Sequence, residues 1–394
     1  IHRYLYHFLC LFLCFSPRVG CYNLVGAGLT VWGLARATAP TQLLSAQLGP
    51  TLILEDSVIL AETDDHYLGQ PVSLIPLDDG SFLISDGFSN SALHFDARGR
   101  HRRTFGQKGD GVGEFRFVSY AGFVTGEVVG IGDDDAMELE LFDLHTGAHI
   151  GAIGMPVLID QYVVSGDTVW FGGVDTESWT SIGSAALDDL VAVASSGGGD
   201  GTILSPDRIA APRIYVENEV TMSMLAGVAL DVREGVVAVG FAGSPTLLVA
   251  SSSGEVLDSL EIPPSKRRGL PDEQVFLRLE RGPGSTDIYD RMSYLVKVSY
   301  DSFGFIHTVH QDSSYDPESR QMRGTFFVSS VKADGAKTCS DTLVPTSDAG
   351  LPELTLQGNR LHVLDQRTAD GGVLTVIRTF LIDPGNCTGE IVEG

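Results

Sequence analysis

An all-β fold is predicted, because short strand-like runs joined by tight turns recur along the sequence. The clearest unit spans residues 79–115, where three strand-like runs are separated by polar Asp/Gly turns and followed by a glycine-rich loop. Rougher copies of this unit follow downstream. One small sheet cannot bury both of its faces alone, so repeated sheets must stack against one another. Together these observations predict a β-propeller.

Six candidate blades are recognised from runs that alternate apolar and polar residues or are rich in β-branched residues. We therefore expect a six-bladed β-propeller of four-stranded antiparallel blades. Counts of five and seven stay open, because the third copy matches weakly. Residues 47–60 add a strand-like run that is expected to complete the last sheet and close the ring. The runs that open the six copies begin at Gly80, Gly126, Gly166, Glu234, Ser302 and Gly358.

Two longer segments interrupt the spacing of the copies. Residues 195–206 are rich in Gly and Ser, which predicts a loop. Residues 272–280 have modest helical character, and a short helix is expected there.

The N-terminal part is predicted to direct export. Residues 1–37 are expected to form a signal or leader segment, and residues 38–394 a single propeller domain. The apolar run at 24–34 precedes an Ala-Arg-Ala pattern that a signal peptidase could accept. Lipidation at Cys21 and a retained N-terminal anchor stay open as alternatives. We therefore expect an exported protein, either periplasmic or extracellular.

The net charge of −25 restricts the choice of partners. An acidic surface repels nucleic acid and anionic lipid headgroups, so neither is expected as a partner. No segment after residue 50 approaches the roughly eighteen apolar residues that a membrane-spanning helix needs. Contact with a membrane is therefore expected only through the N-terminal segment, if that segment is retained.

Cysteine usage also bears on export. Cys339 and Cys387 are the only cysteines after residue 37. In an exported protein two such cysteines predict one disulfide, which would tie the last two blades together. Two separate buried thiols are the alternative, because the sequence does not give the distance between them.

Motifs for catalysis are missing from the sequence, and no catalytic residue is predicted. It contains no G-x-S-x-G, H-E-x-x-H, Walker loop or paired C-x-x-C. No cofactor is predicted either. Calcium is the open alternative, because the acidic turns at 64–66 and 133–135 offer oxygen ligands. The competing interpretation is a solvated turn, in which Asp is a preferred residue.

Ligands of propellers bind at the mouth of the central channel, where blade-end loops meet. Four residues come directly after the opening strand-like run of their copy, and they are predicted to bind a ligand near this mouth: Asp86, Asp133, His310 and Asp365. Capping of turns by the three acids is the alternative interpretation.

The first copy also carries a recognisable motif. Asp86 ends a strand-like run, Asn90 occupies the following turn, and residues 109–115 read GDGVGEF, close to a GxGxGEF signature. This stretch resembles the NHL-type repeat and the six-bladed, TolB-like propellers of secreted proteins and lipoproteins of bacteria. Ser91 stands where such repeats usually have Arg. The resemblance covers a single blade and implies a six-bladed propeller.

These features lead to a first functional hypothesis, an exported, non-enzymatic scaffold that binds a protein, peptide or glycan through its blade-connecting loops. The second is a metal-dependent hydrolase or lyase similar to gluconolactonases, in which an ion in the channel would polarise a carbonyl group. Asp86, Asp133 and Asp365 would supply part of its ligand set. A purely structural role in an envelope assembly is the third.

Overall fold

The computed structural model describes residues 49–123, 126–155, 158–174, 181–196, 227–244, 246–269, 292–316, 321–347, 352–369, 372–385 and 387. They belong to one compact unit, Ala46–Gly394. The predicted leader at 1–37 and the helix predicted at 272–280 lie outside the described residues, as does most of the segment 195–206.

Six antiparallel sheets form six blades, and the first three follow strand β1 (Thr51–Ile59) along the chain. Blade 1 contains β2 (Pro71–Pro76), β3 (Phe82–Asp86), β4 (Ser91–Phe95) and β5 (His101–Phe105). Blade 2 contains β6 (Val118–Phe123), β7 (Val128–Asp133), β8 (Glu138–Asp143) and β9 (His149–Gly154). The described strands of blade 3 are β10 (Leu158–Ser165), β11 (Thr168–Val174) and β12 (Ser181–Ala186).

The remaining three blades have four strands each. Blade 4 contains β13 (Val228–Arg233), β14 (Val236–Phe241), β15 (Thr246–Ser251) and β16 (Val256–Glu261). Blade 5 contains β17 (Ser293–Tyr300), β18 (Phe305–Asp316), β19 (Gln321–Lys332) and β20 (Thr338–Leu343). Blade 6 contains β21 (Glu353–Gln357), β22 (Arg360–Ala369), β23 (Gly372–Asp383) and β1. The predicted six-bladed propeller is therefore confirmed.

Strand β1 closes the ring as predicted. It pairs antiparallel with β23, from Thr51 opposite Asp383 to Ile59 opposite Val376. The last blade thus takes its outermost strand from the beginning of the described chain, so both ends of the ring are held by a hydrogen-bonded ladder. Such a closure leaves no long unpaired edge between the first and last blades.

Apolar clusters fill the interfaces between neighbouring blades, and six such clusters occur within the described residues. One of them joins blade 1 to blade 6, where Phe82 and Phe95 pack in the same cluster as Leu364 and Ile377. Full burial of such a side chain gains roughly 1.5–3 kcal/mol. Each sheet therefore buries both faces against its neighbours, which is why a single copy of the repeat is insufficient.

The sequence-based strand order needs one correction. The runs that open after Gly80, Gly126 and their counterparts are the second strands of their blades, because a further strand precedes each of them. These first strands were harder to recognise because charged residues interrupt them, as Asp231 does in β13 and Lys297 in β17. These first strands combine charged and apolar residues, as expected for strands that lie beside the central channel.

Blade 3 differs from the others, because a helix follows its third described strand. Helix α1 (Leu187–Ser195) has Asp188 and Asp189 in its first turn, where carboxylates interact favourably with the helix dipole. Its buried residues Leu190 and Ala194 pack in the cluster between blades 2 and 3. The sequence pattern did not predict this helix, because nine residues give little periodicity.

Cys339 and Cys387 form a disulfide. Cys339 belongs to β20 of blade 5, and Cys387 follows β23 of blade 6, so the bond links the last two blades. In the part of the chain that the structure describes, no helix has the length and apolar character needed to span a membrane.

Candidate site at the channel mouth

The first strands of the six blades form the innermost ring. In order around it, β2 contacts β6, β6 contacts β10, and the series continues through β13, β17 and β21 back to β2. Side chains on these strands therefore line the central channel. The first strands begin at the same end of the ring at which the second strands end, and this end is referred to below as the mouth.

A cavity of about 330 Å³ opens at the mouth, between blades 3, 4 and 5. Its wall combines a carboxylate, an ammonium group, amides and hydroxyls with apolar side chains. The lining residues that matter below are Asp160, Gln161, Val228, Leu295, Lys297 and Gln311.

Asp160 is the exposed acid of this cavity. A register shift in β10 occurs between Ile159 and Gln161, so Asp160 lies at an irregularity of the strand. Its Oδ2 accepts a hydrogen bond from the backbone N–H of Val228 in blade 4, at 3.2 Å. Enclosure by the surrounding strands raises the pKa of Asp160 to about 7, although water in the cavity reaches the carboxyl.

Gln161 fixes the neighbouring blade beside this acid. Its Nε2 donates to the carbonyl of Leu230 at 2.9 Å, and its Oε1 accepts from the N–H of the same residue at 3.4 Å. One side chain of blade 3 therefore satisfies both backbone groups of a residue in blade 4. This contact holds β10 and β13 in a defined relation at the cavity wall.

Lys297 places a positive charge on the opposite wall. Its Nζ lies 3.5 Å from Glu353 Oε1, and both side chains are about four-fifths buried, with exposures of 19% and 20%. The ammonium also lies 6.0 Å from the centre of the Tyr120 ring. Burial raises the pKa of Glu353, and Lys297 partly offsets this effect. The ion pair spans β17 and β21, so it joins blades 5 and 6 at the channel.

Three of the predicted ligand-binding residues lie at the mouth but hold backbone segments. Asp86 accepts hydrogen bonds from the N–H groups of Gln70 at 2.5 Å and Ser89 at 2.8 Å. Its carboxylate is fully buried and connects the β3–β4 turn to the segment that enters β2. Asp86 therefore caps its own turn through Ser89, which is the alternative interpretation given above for the three acids.

Asp133 makes the same connection in blade 2. It accepts hydrogen bonds from the N–H groups of Arg116 at 2.8 Å and Phe117 at 3.2 Å, just before β6 begins. It also caps its own turn through the N–H groups of Asp135 and Ala136. To bind an ion, this carboxylate would have to give up some of these hydrogen bonds.

Asp365 occupies the corresponding position in blade 6. Both of its carboxylate oxygens already have hydrogen-bond or ion-pair partners. It accepts from the N–H of Ser347, in the segment leading to β21, at 3.3 Å. Its Oδ2 contacts the guanidinium of Arg378. Ligand contact by Asp86, Asp133 and Asp365 stays a prediction.

His310 does not occupy the equivalent position in blade 5. The equivalent acid is Asp312, which accepts a hydrogen bond from the N–H of Arg268 at 3.1 Å. Strand β18 is twelve residues long and extends beyond the predicted run, so the acid comes two residues later. His310 is buried instead beside Arg267, whose guanidinium lies 3.4 Å from its Nδ1. Burial and this guanidinium lower the pKa of His310 to about 3.

Arg267 anchors the basic loop between blades 4 and 5. It forms a buried ion pair with Asp341, with Nη1 and Oδ1 2.5 Å apart. The other oxygen of Asp341 accepts hydrogen bonds from the backbone N–H groups of Ser265, Lys266 and Arg267. This loop is therefore held against blade 5 by both the side chain and the backbone N–H of Arg267.

A Ser–His–Asp chain occurs in blade 5, but no substrate can reach it. Ser330 Oγ lies 2.7 Å from His307 Nδ1, and His307 Nε2 lies 3.2 Å from Asp301 Oδ2. The exposures of the three residues are 0%, 0% and 2%. Acyl transfer needs an accessible nucleophile beside an oxyanion site, so we interpret this chain as a clamp between strands.

The GDGVGEF loop also has a structural explanation. Gly113 has a φ of +69°, a conformation that side-chain-bearing residues rarely adopt, and Phe115 is fully buried between blades 1 and 2. The Glu114 carboxylate accepts the N–H of Gly111 at 2.9 Å. Asn90 Oδ1 accepts the N–H of Val118 at 3.1 Å, which fixes the entry to blade 2.

The acidic turns form no recognisable metal centre among the described residues, where no three His, Cys, Asp or Glu side chains are grouped as ligands. Calcium binding therefore stays a prediction. Three charged residues of the channel wall were not predicted from the sequence: Asp160, Lys297 and Glu353. A charged residue inside an otherwise apolar strand, as in LVKVSY of β17, is the signal that could have identified the channel wall.

Comparison with known proteins gives the fold. No protein-family model and no curated protein matches this chain. A solved structure of a DUF4221 family member from Bacteroides vulgatus is 10% identical with a TM-score of 0.57, over 86% of this chain and 99% of that one. A Bacteroides fragilis protein described as exported is 8% identical with a TM-score of 0.58, over 86% and 96%. These similarities show the propeller fold alone, and the NHL type of repeat stays a resemblance.

Proposed function

We infer that this protein is an exported, non-enzymatic propeller that binds a protein, peptide or glycan at the channel mouth. The observation that carries the inference is the cavity of about 330 Å³ between blades 3, 4 and 5. Its volume falls at the lower end of the roughly 300–1,000 Å³ typical of ligand pockets. A terminal group of the partner would enter the cavity, and the surrounding loops would contact the rest.

The wall of the cavity supports recognition of a ligand that is part polar and part apolar. Asp160, Lys297 and Gln311 supply polar groups, while Val228 and Leu295 supply apolar surface. A few polar groups in a mostly preformed concave site fix the orientation of a ligand. The carboxylates of Asp86, Asp133 and Asp365 hold the segments that enter blades 1, 2 and 6 at the same end of the ring, outside the cavity wall.

Export is supported by three observations. Residues 24–34 form an apolar run followed by an Ala-Arg-Ala pattern, which is typical of an export signal. Cys339 and Cys387 form a disulfide, a bond typical of oxidising compartments. One structural neighbour is described as an exported protein. The compartment in this proposal is the periplasm or the extracellular space.

The test is a screen of the purified protein against peptide and glycan arrays, with two matched tryptophan variants. Gln311→Trp fills the cavity, while Val256→Trp adds the same side chain to the exposed outermost strand of blade 4. We expect array ligands that the wild type and Val256→Trp capture equally and that Gln311→Trp loses. Equal capture by both variants, or no capture at all, would refute binding at the mouth.

A further inference from the structure

Resting on the proposed function, we propose that the cavity binds the primary ammonium group of its ligand, with the carboxylate of Asp160 as the acceptor and the backbone N–H of Val228 holding that carboxylate in place. The ligand class is therefore an amine, such as a free peptide N-terminus or an amino sugar. Three features of the cavity favour an amine: the hydrogen-bonding capacity of Asp160, the charges around this residue and the shape of the cavity.

Asp160 has unused capacity to accept hydrogen bonds. An ionised carboxylate offers about four acceptor positions. Within the described ranges, the only hydrogen bond to this side chain is the one from Val228 N–H to Oδ2. Because Asp160 is exposed in the cavity wall, a ligand with several N–H donors can reach the remaining positions. An ammonium group carries three such donors.

The charges around Asp160 favour a cation over an anion. Lys297, the ammonium group in the cavity wall, is already paired with Glu353 at 3.5 Å. Arg268, at the rim near Ser313, is engaged by Asp312. Each of these two cations is thus paired with its own acid, and among the described residues that line the cavity Asp160 is the acid without an ion-pair partner.

Asp134 adds to the negative potential at this point. Its charge raises the pKa of Asp160 further after the larger effect of enclosure, while Lys297 acts in the opposite direction. A bound ammonium group would relieve this repulsion, because an opposite charge within a few ångströms favours the ionised carboxyl. An anionic ligand would be repelled by Asp160, and both cations described at the cavity, Lys297 and Arg268, are already paired with acids.

The shape of the cavity suits a small amine with a carbon skeleton. Apolar side chains of Val228, Leu295 and Val296 lie in the same wall as Asp160, and the Gln311 amide lies beside them. The amino group would thus meet the carboxylate while its carbon skeleton covers apolar surface. At about 330 Å³ the cavity holds one residue or one sugar ring rather than a long chain.

Titration calorimetry with paired probes tests the proposal. The probes are a tripeptide with a free or acetylated N-terminus, and glucosamine with N-acetylglucosamine. We expect at least one free amine to bind at least about tenfold more tightly than its acetylated partner, as expected for a charge-assisted hydrogen bond. The pair that discriminates identifies the source of the amine.

Two isosteric variants assign the effect to one carboxylate. Asp160→Asn should remove the preference for the free amine, while Asp167→Asn, at the exposed turn of the same hairpin, should keep it. Equal binding of free and acetylated probes, or an unchanged preference in Asp160→Asn, overturns the proposal. Array ligands without an amine that Gln311→Trp nevertheless loses would overturn it too, while leaving the proposed function intact.

The pH dependence of binding distinguishes contact between Asp160 and the ligand from a purely structural role of this residue. A purely structural role would not make amine binding depend on the charge of Asp160. An alkyl ammonium such as ethanolamine stays charged between pH 6 and pH 8, as lysine does. The carboxyl of Asp160, with its pKa of about 7, becomes largely protonated at pH 6 and loses its charge. Binding of ethanolamine should therefore be about tenfold weaker at pH 6 than at pH 8. A pH profile that persists unchanged in Asp160→Asn overturns the assignment of the amine to this carboxylate.

Discussion

Blades 1 and 5 have the same strand order, but different forces hold their middle strands together. At the third position of the second strand, blade 1 has Ile84 paired with Leu93. Blade 5 has His307 paired with Ser330 at the corresponding position. The apolar pair stabilises the blade because folding removes its apolar surface from water. The polar pair is tolerated in the interior only because each group has a hydrogen-bond partner.

The same contrast extends to the loops that enter each blade. In blade 1, Asp86 holds the incoming segment through the neutral backbone N–H of Gln70. In blade 5, Asp341 does so through backbone N–H groups and also through the buried guanidinium of Arg267. One backbone architecture can therefore be stabilised by apolar packing or by a connected polar network. The network is more vulnerable, because the loss of one member leaves another buried without a partner.

The largest effect is expected from breaking the buried ion pair of blade 5. Asp341→Ala leaves the Arg267 guanidinium buried without its counter-charge and should lower the free energy of unfolding by about 3–5 kcal/mol. Urea denaturation measures the loss, and Asp258→Ala on the exposed strand β16 is the matched control. The double variant Arg267→Met, Asp341→Leu should recover only part of this loss, because the backbone N–H groups of Ser265 and Lys266 still lack their acceptor. A loss no larger than that of the control would mean that the ion pair does not hold blade 5.

The disulfide gives the next largest effect and acts on blades 5 and 6 alone. Replacing Cys339 and Cys387 by Ala frees a loop whose ends are 48 residues apart. In the chain-entropy account this costs about 4 kcal/mol, because the unfolded chain gains conformational freedom. Denaturation with and without a thiol reductant checks it: the reductant should destabilise the wild type and leave the double variant unchanged. If the reductant also destabilised the double variant, its effect on stability would not come from the disulfide between Cys339 and Cys387.

Blade 1 should respond to a cavity in its apolar core. Leu93 is buried in the cluster between blades 6 and 1, so Leu93→Ala should cost about 3 kcal/mol. Since no charge is left unpaired, the loss should be the same at pH 5 and pH 7. Thermal and urea unfolding at both values measure it, with Val256→Ala on an exposed strand as control. A strongly pH-dependent loss would contradict the apolar description of this blade.

Blade 5 should instead lose stability on acidification through His310. Its pKa is about 3 in the folded protein and about 6.5 when unfolded, so below pH 6.5 the unfolded chain binds a proton that the folded chain does not. Stability therefore falls as pH decreases, by about 2 kcal/mol between pH 7 and pH 5 from this residue. His310→Gln should reduce the pH dependence by that amount. An unchanged dependence in His310→Gln would place the acid sensitivity elsewhere.

The sequence was sufficient to predict the fold because its information is local and repeated. The second strands are nearly continuous apolar runs bounded by turns, as in β3, and the run before the first copy closes the ring as β1. The first strands and helix α1 were not recognised. Their patterns are interrupted by channel-facing charges or are too short to show a period.

The candidate site could be predicted only in part. From the sequence, a ligand site is expected at the end where the second strands finish, but residues at those positions hold loops through backbone hydrogen bonds, as Asp86 does. The cavity wall instead comes from the first strands, where Asp160 and Lys297 lie far apart in sequence. Their proximity depends on the closed ring, which local patterns do not encode.

Hydrogen–deuterium exchange with a ligand taken from the array screen tests the central claim most directly. The amides of β10, β13 and β17 near the mouth should gain protection on binding, because their strand ends form the cavity wall. The loops of blade 1 at Tyr67 and Phe88, exposed at the same end, should remain unchanged. Protection confined to blades 3, 4 and 5 is the predicted result. Protection at Tyr67 and Phe88 with none at the cavity would contradict binding at the channel mouth.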